Sequence, residues 1–267
     1  MSSTGFRVTD HGVRRVLSYE RQREVLRRVR VRGAGNVNEL ATIIGVSPST
    51  IRRDLTELDE QGLLRRVHGG ASVPDSEGEV AHIAREAAHT EQKLRIGEAA
   101  AKLVRNHSTI LVTGGTTTEA MLVHLHGREG LTVITNGLNV AMELSRQPAI
   151  TVVVLGGVLR HAELSLLGAL AEDAMKDFHV DAAFIGAYGV DPVTGLSGAS
   201  VLEASTDRRL LDRVPAVVAL ADSSKFGRRG PVRLAGIDQV ATLITDTGAP
   251  AAAVAALAEA EVDVRLV

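Results

Sequence analysis

The sequence predicts a small N-terminal winged helix-turn-helix domain followed by a larger α/β domain built on a parallel sheet. The first 75 residues hold 13 Arg, no Lys and 9 acidic residues, a net charge of +4, whereas the remainder carries −6. In the remainder, short runs of Val, Ile and Leu alternate with helical segments, as in parallel sheets buried on both faces. A basic N-terminal segment followed by an acidic remainder indicates a DNA-binding module joined to a domain of another kind.

The chain of 267 residues is long enough for a small domain joined to a medium one. We place the small domain at residues 1–74, with its core at 20–74, a polar linker at 75–89 and the α/β domain at 90–267. Hydrophobic residues make up 45% of the chain and charged residues 23%, which is typical of a protein that buries a core.

Composition excludes several kinds of site. The chain has no cysteine, which rules out disulfides and cysteine-based metal or nucleophile chemistry and fits a cytoplasmic location. The N-terminus lacks the apolar stretch of a signal peptide, and no apolar run is long enough to span a bilayer. None of the nine histidines lies in an H-E-x-x-H arrangement. We therefore expect no metal, no cofactor and no membrane partner.

Three helices and a wing are predicted in the small domain. The first helix covers residues 19–31, where apolar side chains recur at helical spacing. The second has its apolar face at residues 40–44 and stops at Gly45. The third opens with a hydroxyl N-cap at Ser47 and a proline at its first position. Two short strands over residues 63–73, with glycines at the bend, follow as the wing.

The second and third helices have the spacing of a helix-turn-helix. The tight turn at residues 45–47 leads into a helix whose N-terminal end would enter the major groove. Four side chains off its apolar face are of the types that contact phosphates and base edges: Ser49, Thr50, Arg52 and Arg53. The alternative is a solvated helix face on which the arginines are balanced by Asp54, Glu57 and Asp59.

The stretch from Val37 to Ala71, VNELATIIGVSPSTIRRDLTELDEQGLLRRVHGGA, resembles the signature of the DeoR family of transcriptional regulators almost residue for residue. The match includes TIRRDL, the E-Q-G-L-L turn and the R-x-H-G-G-A wing. The resemblance implies that the third helix contacts DNA through the four side chains named above, with Ser47 as its cap. It also implies that three wing residues lie near the DNA backbone or minor groove: Arg65, Arg66 and His68.

In the α/β domain we predict a helix at residues 91–104 and then seven strands. The strands are at residues 109–112, 131–135, 150–155, 181–187, 216–221, 240–245 and 262–267. Because parallel strands bring their carboxyl ends to one edge of the sheet, the loops that follow them are expected to form a ligand site there.

The turn after the first of these strands suits a phosphate. It consists of Thr113, Gly114, Gly115, Thr116, Thr117 and Thr118. Glycines let the backbone approach closely, several N–H groups point at one spot, hydroxyls add donors, and the next helix adds its positive end. The alternative is a tight connection without a ligand.

Other predicted effector-binding residues follow further strands. Lys225, one of only four lysines, would place a point charge on the phosphate unless it is an ordinary surface lysine. The remaining members of the set are Thr135, Asn136, Gly156, Gly157, Arg160 and Gly186.

The order T-x-G-T-T-T, T-N, G-G, A-x-x-G-A, A-D-S-S-K-F resembles the effector domain of DeoR regulators, so the likeness covers residues 20 to about 250. That domain is related in fold to ribose-5-phosphate isomerase and glucosamine-6-phosphate deaminase, which implies a phosphorylated sugar as ligand. The chain departs from the family pattern at Thr113-Gly114, closer to the deaminases, and at Tyr188. A tyrosine in the pocket would change which sugar is accepted.

The competing hypothesis is an active sugar-phosphate isomerase or deaminase that carries a DNA-binding head. An enediol mechanism needs a positioned carboxylate. In the isomerases the matching strand is similar to D-x-A-I-D-G-A-D-E-x-D, and here its three inner acids are replaced by Ile185, Tyr188 and Gly189. Three acids remain in this part of the chain: Asp181, Glu203 and Asp222. Their simpler role is to accept hydrogen bonds from sugar hydroxyls or to cap turns.

We therefore predict a regulator without enzymatic activity. It would be a repressor of carbohydrate-catabolism genes whose binding to a double-stranded DNA operator is controlled by a phosphorylated sugar. A single helix-turn-helix contacts too little DNA for tight specific binding, so a homodimer or homotetramer is expected. A structural DNA-bridging protein is the third alternative, which a specific effector response would exclude.

Overall fold

The computed structural model describes residues 11–32, 34–67, 69–72, 88–161 and 163–267. The chain divides into two compact units, Met1–Ala84 and Arg85–Val267. Of the linker predicted at residues 75–89, only residues 88 and 89 are among those described.

Within the described residues, the first unit has three helices and a three-stranded antiparallel sheet. Its elements are α1 (His11–Arg32), β1 (Ala34–Asn36), α2 (Val37–Ile44), α3 (Pro48–Glu60), β2 (Arg65–Val67) and β3 (Gly70–Ser72). The strand order is β1-β3-β2. Val25 and Val29 of α1, Leu40 of α2, and Ile51 and Leu55 of α3 are buried together in one core. The apolar spacing used to predict the three helices therefore marks the face that each helix buries.

Two features of this unit differ from the prediction. Helix α1 begins at His11 rather than at residue 19, and no proline interrupts the added turns. Strand β1 was not among the predicted elements. It pairs with β3, where Gly35 lies opposite Ala71 and Asn36 opposite Gly70. A Cβ at Gly70 would lie 2.1 Å from the carbonyl oxygen of Gly35, so only glycine there lets the two backbones approach this closely.

The second unit surrounds a seven-stranded sheet. The helices are α4 (Thr90–Ala101), α5 (Thr116–Leu122), α6 (Leu138–Leu144), α7 (Ala169–Ala174), α8 (Val201–Leu211) and α9 (Ala251–Glu259). The strands of the main sheet are β4 (Thr109–Val112), β5 (Thr132–Thr135), β6 (Thr151–Val154), β9 (Ala182–Gly186), β12 (Val217–Leu220), β14 (Val240–Thr245) and β15 (Asp263–Leu266). The order is β15-β14-β12-β9-β4-β5-β6, and every pairing is parallel. The predicted parallel sheet is confirmed.

The sheet is buried on both faces because alternate residues of each strand point to opposite sides. Leu111 and Ile185 belong to the core beneath α7, α8 and α9. Ile110 and Phe184 belong to the core beneath α4, α5 and α6. Burial on both faces explains why these strands are nearly continuous runs of apolar residues rather than alternating ones.

Two small antiparallel additions were not predicted. The first is a hairpin of β7 (Val158–Arg160) and β8 (Ser165–Leu167). The second is a sheet with the order β10-β11-β13, formed by β10 (Gly189–Asp191), β11 (Gly195–Gly198) and β13 (Val232–Ala235). Short 3-10 turns cover Met175–Asp177, Ser223–Lys225 and Ile237–Gln239. None of the described helices is both long and apolar enough to cross a membrane.

Candidate functional site

Local capping sets the geometry of the helix-turn-helix in the first unit. Gly45 ends α2 in the left-handed conformation, with φ of 75°, and its N–H donates to the carbonyl of Ala41 at 3.0 Å. Ser47 is the N-cap of α3, and its Oγ accepts the N–H of Thr50 at 3.2 Å. Pro48 follows at a position where no backbone donor is needed. The exposed N-terminal end of α3 is thereby held in a fixed direction.

Two acidic side chains of α3 are bound to α1. Asp54 is 2% exposed and makes a bidentate ion pair with Arg21, with Nε to Oδ2 at 2.6 Å and Nη2 to Oδ1 at 2.9 Å. The hydrogen bond to Asp54 raises the pKa of Arg21 above its ordinary value. Glu57 accepts Nε2 of Gln22 at 2.5 Å. These carboxylates therefore hold two helices together instead of neutralising the outer face of α3.

The outer face of α3 carries uncompensated positive charge. Arg52, Arg53 and Ser49 are exposed. Across the part of the chain that the structure describes, neither of the two guanidinium groups forms an ion pair or a hydrogen bond. The nearby acid Asp59 accepts the backbone N–H of Arg66 at 3.0 Å. Free cations beside a hydroxyl at the start of a recognition helix suit DNA phosphates and base edges.

The wing is bound to the same helix through Arg66. Its Nη1 donates to the carbonyl of Arg52 at 3.1 Å and to Oγ1 of Thr56 at 2.7 Å. Arg65 is exposed on the same strand, whereas His68 lies outside the described residues. The structure thus joins the strand that carries Arg65 and Arg66 to the helix that carries Arg52.

A cavity of about 110 Å³ lies in the second unit, at the carboxyl edge of the parallel sheet. Strands β12, β9 and β4 are neighbours in the sheet, so the segments that follow them meet at this edge. Seven predicted effector-binding residues line the cavity: Thr113, Gly114, Gly115, Thr116, Thr117, Gly186 and Lys225. This is the edge at which open α/β sheets place their ligands.

The loop between β4 and α5 is shaped for a close approach. Gly115 has φ of 139°, a conformation that residues with a Cβ rarely adopt. Oγ1 of the fully buried Thr118 lies 2.8 Å from the carbonyl of Thr113 and 2.7 Å from that of Gly115. Thr118 therefore stabilises the loop without lining the cavity, whereas Thr116 and Thr117 line it. Backbone N–H groups at the start of a helix have no intrahelical acceptor and are available to a ligand.

Lys225 supplies a positive charge to the same cavity. It ends the short 3-10 turn that Asp222 caps by accepting the N–H of Ser224 at 3.0 Å. The Lys225 side chain is 14% exposed, and its Nζ lies 3.9 Å from Oδ2 of Asp222. Asp222 is 1% exposed, and its Oδ2 makes no hydrogen bond within the described residues. Asp222 thus both builds the turn and attracts the ammonium group that it carries.

Carboxylates occupy another wall of the cavity. Glu203, in the first turn of α8, accepts Oγ of Ser165 at 2.8 Å and Nη1 of Arg160 at 3.3 Å. Glu163, in the turn of the β7–β8 hairpin, also lines the cavity and is 8% exposed. Leu164 follows it with φ of 52°, a strained conformation for leucine that the surrounding structure must stabilise. The unpredicted β7–β8 hairpin therefore supplies Glu163 to the cavity wall and holds Glu203 in place through hydrogen bonds.

Asp207 lies one helical turn after Glu203 and lines the same cavity. Its Oδ1 accepts Nδ2 of Asn136 at 2.9 Å. Burial and, to a lesser extent, the negative charge of Glu203 raise the pKa of the Asp207 carboxyl to about 7, although the hydrogen bond from Asn136 lowers it. At neutral pH the carboxyl group is therefore partly protonated, unlike an ordinary aspartate.

Six predicted effector-binding residues do not line the cavity: Thr118, Thr135, Asn136, Gly156, Gly157 and Arg160. Thr135 is buried, and its Oγ1 accepts the N–H of Gly137 at 2.9 Å. Asn136 and Arg160 contribute indirectly, because they donate hydrogen bonds to the lining residues Asp207 and Glu203, respectively.

The sequence pointed to Tyr188 and Glu203 only as possible pocket residues, and both line the cavity. Three further lining residues were not anticipated: Glu163, Ser200 and Asp207. The sequence signal for Asp207 is its four-residue spacing from Glu203, which puts both on one face of a helix. No group of three His, Cys, Asp or Glu side chains able to hold a metal ion occurs among the described residues.

A helix-turn-helix unit joined to an α/β unit with a polar cavity defines a ligand-responsive transcriptional regulator. The chain belongs to the DeoR family. Residues 21–77 match the DeoR-like helix-turn-helix domain, and residues 88–247 match the DeoR C terminal sensor domain.

Curated relatives agree with this assignment. The chain is 37% identical to the HTH-type transcriptional regulator YulB of Bacillus subtilis (strain 168), over 94% of this chain and 98% of that protein. It is 33% identical to the glycerol-3-phosphate regulon repressor of Escherichia coli (strain K12), over 92% of this chain and 98% of the repressor. Both relatives are regulators, and the protein is a DNA-binding transcriptional regulator rather than an enzyme.

Solved structures show a more limited similarity. Ribose 5-phosphate isomerase A of Methanocaldococcus jannaschii is 20% identical, with a TM-score of 0.39, over 52% of this chain and 55% of that chain.

Proposed function

We propose that the protein is a repressor of carbohydrate-catabolism genes and that a phosphorylated sugar, bound in the cavity of the second unit, controls its binding to an operator. The observation that carries the proposal is the placement of Lys225 and the loop at residues 113–117 on one cavity. The other unit of the same chain carries uncompensated arginines on a recognition helix.

The cavity has the groups that both ends of such a ligand need. Backbone N–H groups of the loop and the ammonium of Lys225 would hold the phosphate, since an ammonium adds a charge-assisted bond to neutral donors. Glu203 and Asp207 would accept hydrogen bonds from the sugar hydroxyls. The positions of Ile185, Tyr188 and Gly189 carry no acid, so we assign no proton transfer between ligand carbons.

In the DNA complex, the start of α3 would lie in the major groove. The proposed contacts are Ser49, Thr50, Arg52 and Arg53 from the helix, with Arg65, Arg66 and His68 near the DNA backbone or minor groove. A homodimer or homotetramer in the cytoplasm would place two such helices on two half-sites. The effector would act by binding the DNA-free arrangement more tightly, and such couplings are typically about 1–3 kcal/mol.

The name of one relative supports the ligand class. A protein 33% identical to this chain is a glycerol-3-phosphate regulon repressor. A phosphate ester of a polyol is therefore the chemistry to test first.

A thermal-shift comparison tests the binding step. Glycerol, ribose, glucose and fructose would be compared with their phosphate monoesters, because a ligand that binds only the folded state raises the melting temperature. We expect at least one phosphate ester, and no parent compound, to raise the melting temperature of the full chain. Equal shifts with ester and parent, or no shift with any ester, would contradict the proposal.

A further inference from the structure

The wall of the cavity formed by α8 carries two carboxyl groups that face the same space. Glu203 and Asp207 lie one turn apart on the same helix and line the cavity together. Glu163 joins them from the turn of the β7–β8 hairpin. The cationic side chain in the cavity lining is Lys225, which belongs to the 3-10 turn after β12.

Glu203 is fixed as a hydrogen-bond acceptor before any ligand arrives. Ser165 donates to its Oε1 at 2.8 Å and Arg160 donates to its Oε2 at 3.3 Å. An ionised carboxylate has about four acceptor positions, so Glu203 can also accept hydrogen bonds from a ligand. The guanidinium group of Arg160 is engaged with Glu203 and is not part of the cavity lining, so it offers no neutralising partner to a ligand anion at this wall.

Asp207 is oriented in a similar way but keeps one oxygen for a ligand. Asn136, which is 1% exposed, donates its Nδ2 to Oδ1 of Asp207 at 2.9 Å. Within the described residues, Oδ2 of Asp207 receives no hydrogen bond and is not fully buried. This oxygen is therefore the acceptor of Asp207 that is open to a ligand in the cavity.

We propose that Glu203 and Asp207 are specificity-determining residues, which accept the uncharged hydroxyls of a phosphorylated polyol and reject phosphorylated ligands that carry a second anionic group. The inference rests on the proposed function, since it concerns the same cavity. A hydroxyl donates to both carboxyl groups. A ligand carboxylate donates nothing. Above the raised pKa of the buried Asp207 carboxyl, it meets like charge from both Asp207 and Glu203 in a partly desolvated space, where such repulsion is strongest.

Matched ligand pairs test this inference directly. Each pair differs only in a terminal CH2OH or carboxylate: glycerol 3-phosphate with 3-phosphoglycerate, ribitol 5-phosphate with 5-phosphoribonate, and glucitol 6-phosphate with 6-phosphogluconate. Dissociation constants would be measured by calorimetry on the full chain at pH 8.5, where the Asp207 carboxyl, whose pKa burial raises to about 7, is ionised. We expect the polyol ester to bind about tenfold more tightly, or better, in every pair that binds at all.

Two variants test whether Asp207 and Glu203 cause the preference for the polyol ester over the acid. Asp207→Asn and Glu203→Gln keep the shape of each side chain while removing its charge, so each should reduce the ratio within a pair severalfold, mainly by improving binding of the acid. Asp212→Asn is the matched control, because Asp212 is exposed at the end of α8 and outside the cavity lining. It should leave the ratio unchanged.

The outcomes separate this inference from the proposed function. Equal affinities within each pair, tighter binding of the acids, or an unchanged ratio in both folded variants would overturn the inference and leave a phosphate-ester sensor standing. If the wild-type protein binds no member of any pair, and no sugar phosphate in the thermal-shift panel, both fail together.

Discussion

Arg21 of α1 and Asp54 of the recognition helix form a bidentate ion pair, with N–O distances of 2.6 and 2.9 Å. Asp54 is 2% exposed, and the Arg21 side chain is 22% exposed. The pair has two consequences. It holds α3 against α1, and it keeps a negative charge away from the face of α3 that carries Arg52 and Arg53.

Replacing Asp54 with alanine should lower both stability and DNA affinity. The variant leaves the part-buried guanidinium group of Arg21 without its partner, which typically costs about 1–3 kcal/mol. Urea denaturation followed by circular dichroism measures the loss. Glu60→Ala on the exposed side of the same helix is the control and should change stability by less than about 0.5 kcal/mol. Similar stabilities for the two variants would show that the ion pair does not hold the helices together.

Arg52→Ala and Arg53→Ala should weaken operator binding without affecting fold or effector binding. A lost base contact costs about 1–3 kcal/mol, whereas a lost phosphate contact lowers the slope of log affinity against log salt by about one. Fluorescence anisotropy at several salt concentrations distinguishes the two. The matched control is Arg146→Ala, which removes an exposed arginine from the other unit. Unchanged affinity and salt slope in both variants would remove α3 from the DNA interface.

Lys225→Ala should reduce effector affinity strongly while operator affinity stays near that of the wild type. A charge-assisted bond to phosphate is roughly twice as strong as a neutral hydrogen bond. Lys176→Ala, which removes a lysine paired with Asp173 on the surface, should have no effect on effector affinity. Calorimetry with the best phosphate ester measures both variants. A purely structural role would instead lower the melting temperature with or without ligand. Full effector binding by a stable Lys225→Ala protein would show that Lys225 does not hold the phosphate.

The carboxyl group of Asp207 makes stability depend on pH. Burial raises its pKa from 3.8 to about 7, so between these values the folded state holds a proton that the unfolded state has lost. The contribution of this group to stability therefore falls as pH rises through that window, and the penalty is complete above it. Asp207→Asn removes the penalty. Its melting temperature, relative to the wild type, should be higher at pH 8 than at pH 5. A difference that is the same at both pH values, or larger at pH 5, would contradict the assigned burial.

The sequence was sufficient for the parts of the fold that depend on local pattern. The seven parallel strands are runs of apolar residues, and their common direction brought the loop at residues 113–117 and Lys225 to one edge. The antiparallel additions could not be predicted in this way. Strands such as Gly189–Asp191 and Gly195–Gly198 are short, contain glycine and lack alternation, and β11 pairs with β13 more than 30 residues later. Long-range pairing, rather than local pattern, defines them.

The same limit applies to the acidic wall of the cavity. In the sequence, Asp207 precedes two arginines on a helix and has the pattern of a solvated face. Its burial follows from tertiary packing that no local pattern contains: Asn136 comes from the loop after β5, and the partners of Glu203 come from a hairpin that was not predicted.

Release of operator DNA by a phosphate ester is the most direct test of the central claim. The DNA would be a labelled duplex selected by the wild-type protein from a randomised pool, and its complex would be titrated with sugar phosphates, the parent sugars and inorganic phosphate. We predict that at least one phosphate ester weakens binding about 5- to 150-fold, as expected for a coupling of this kind, while the parent sugars have no effect and the Lys225→Ala complex persists. An operator affinity that no sugar phosphate of the panel changes would contradict the proposed control of DNA binding by a phosphorylated sugar.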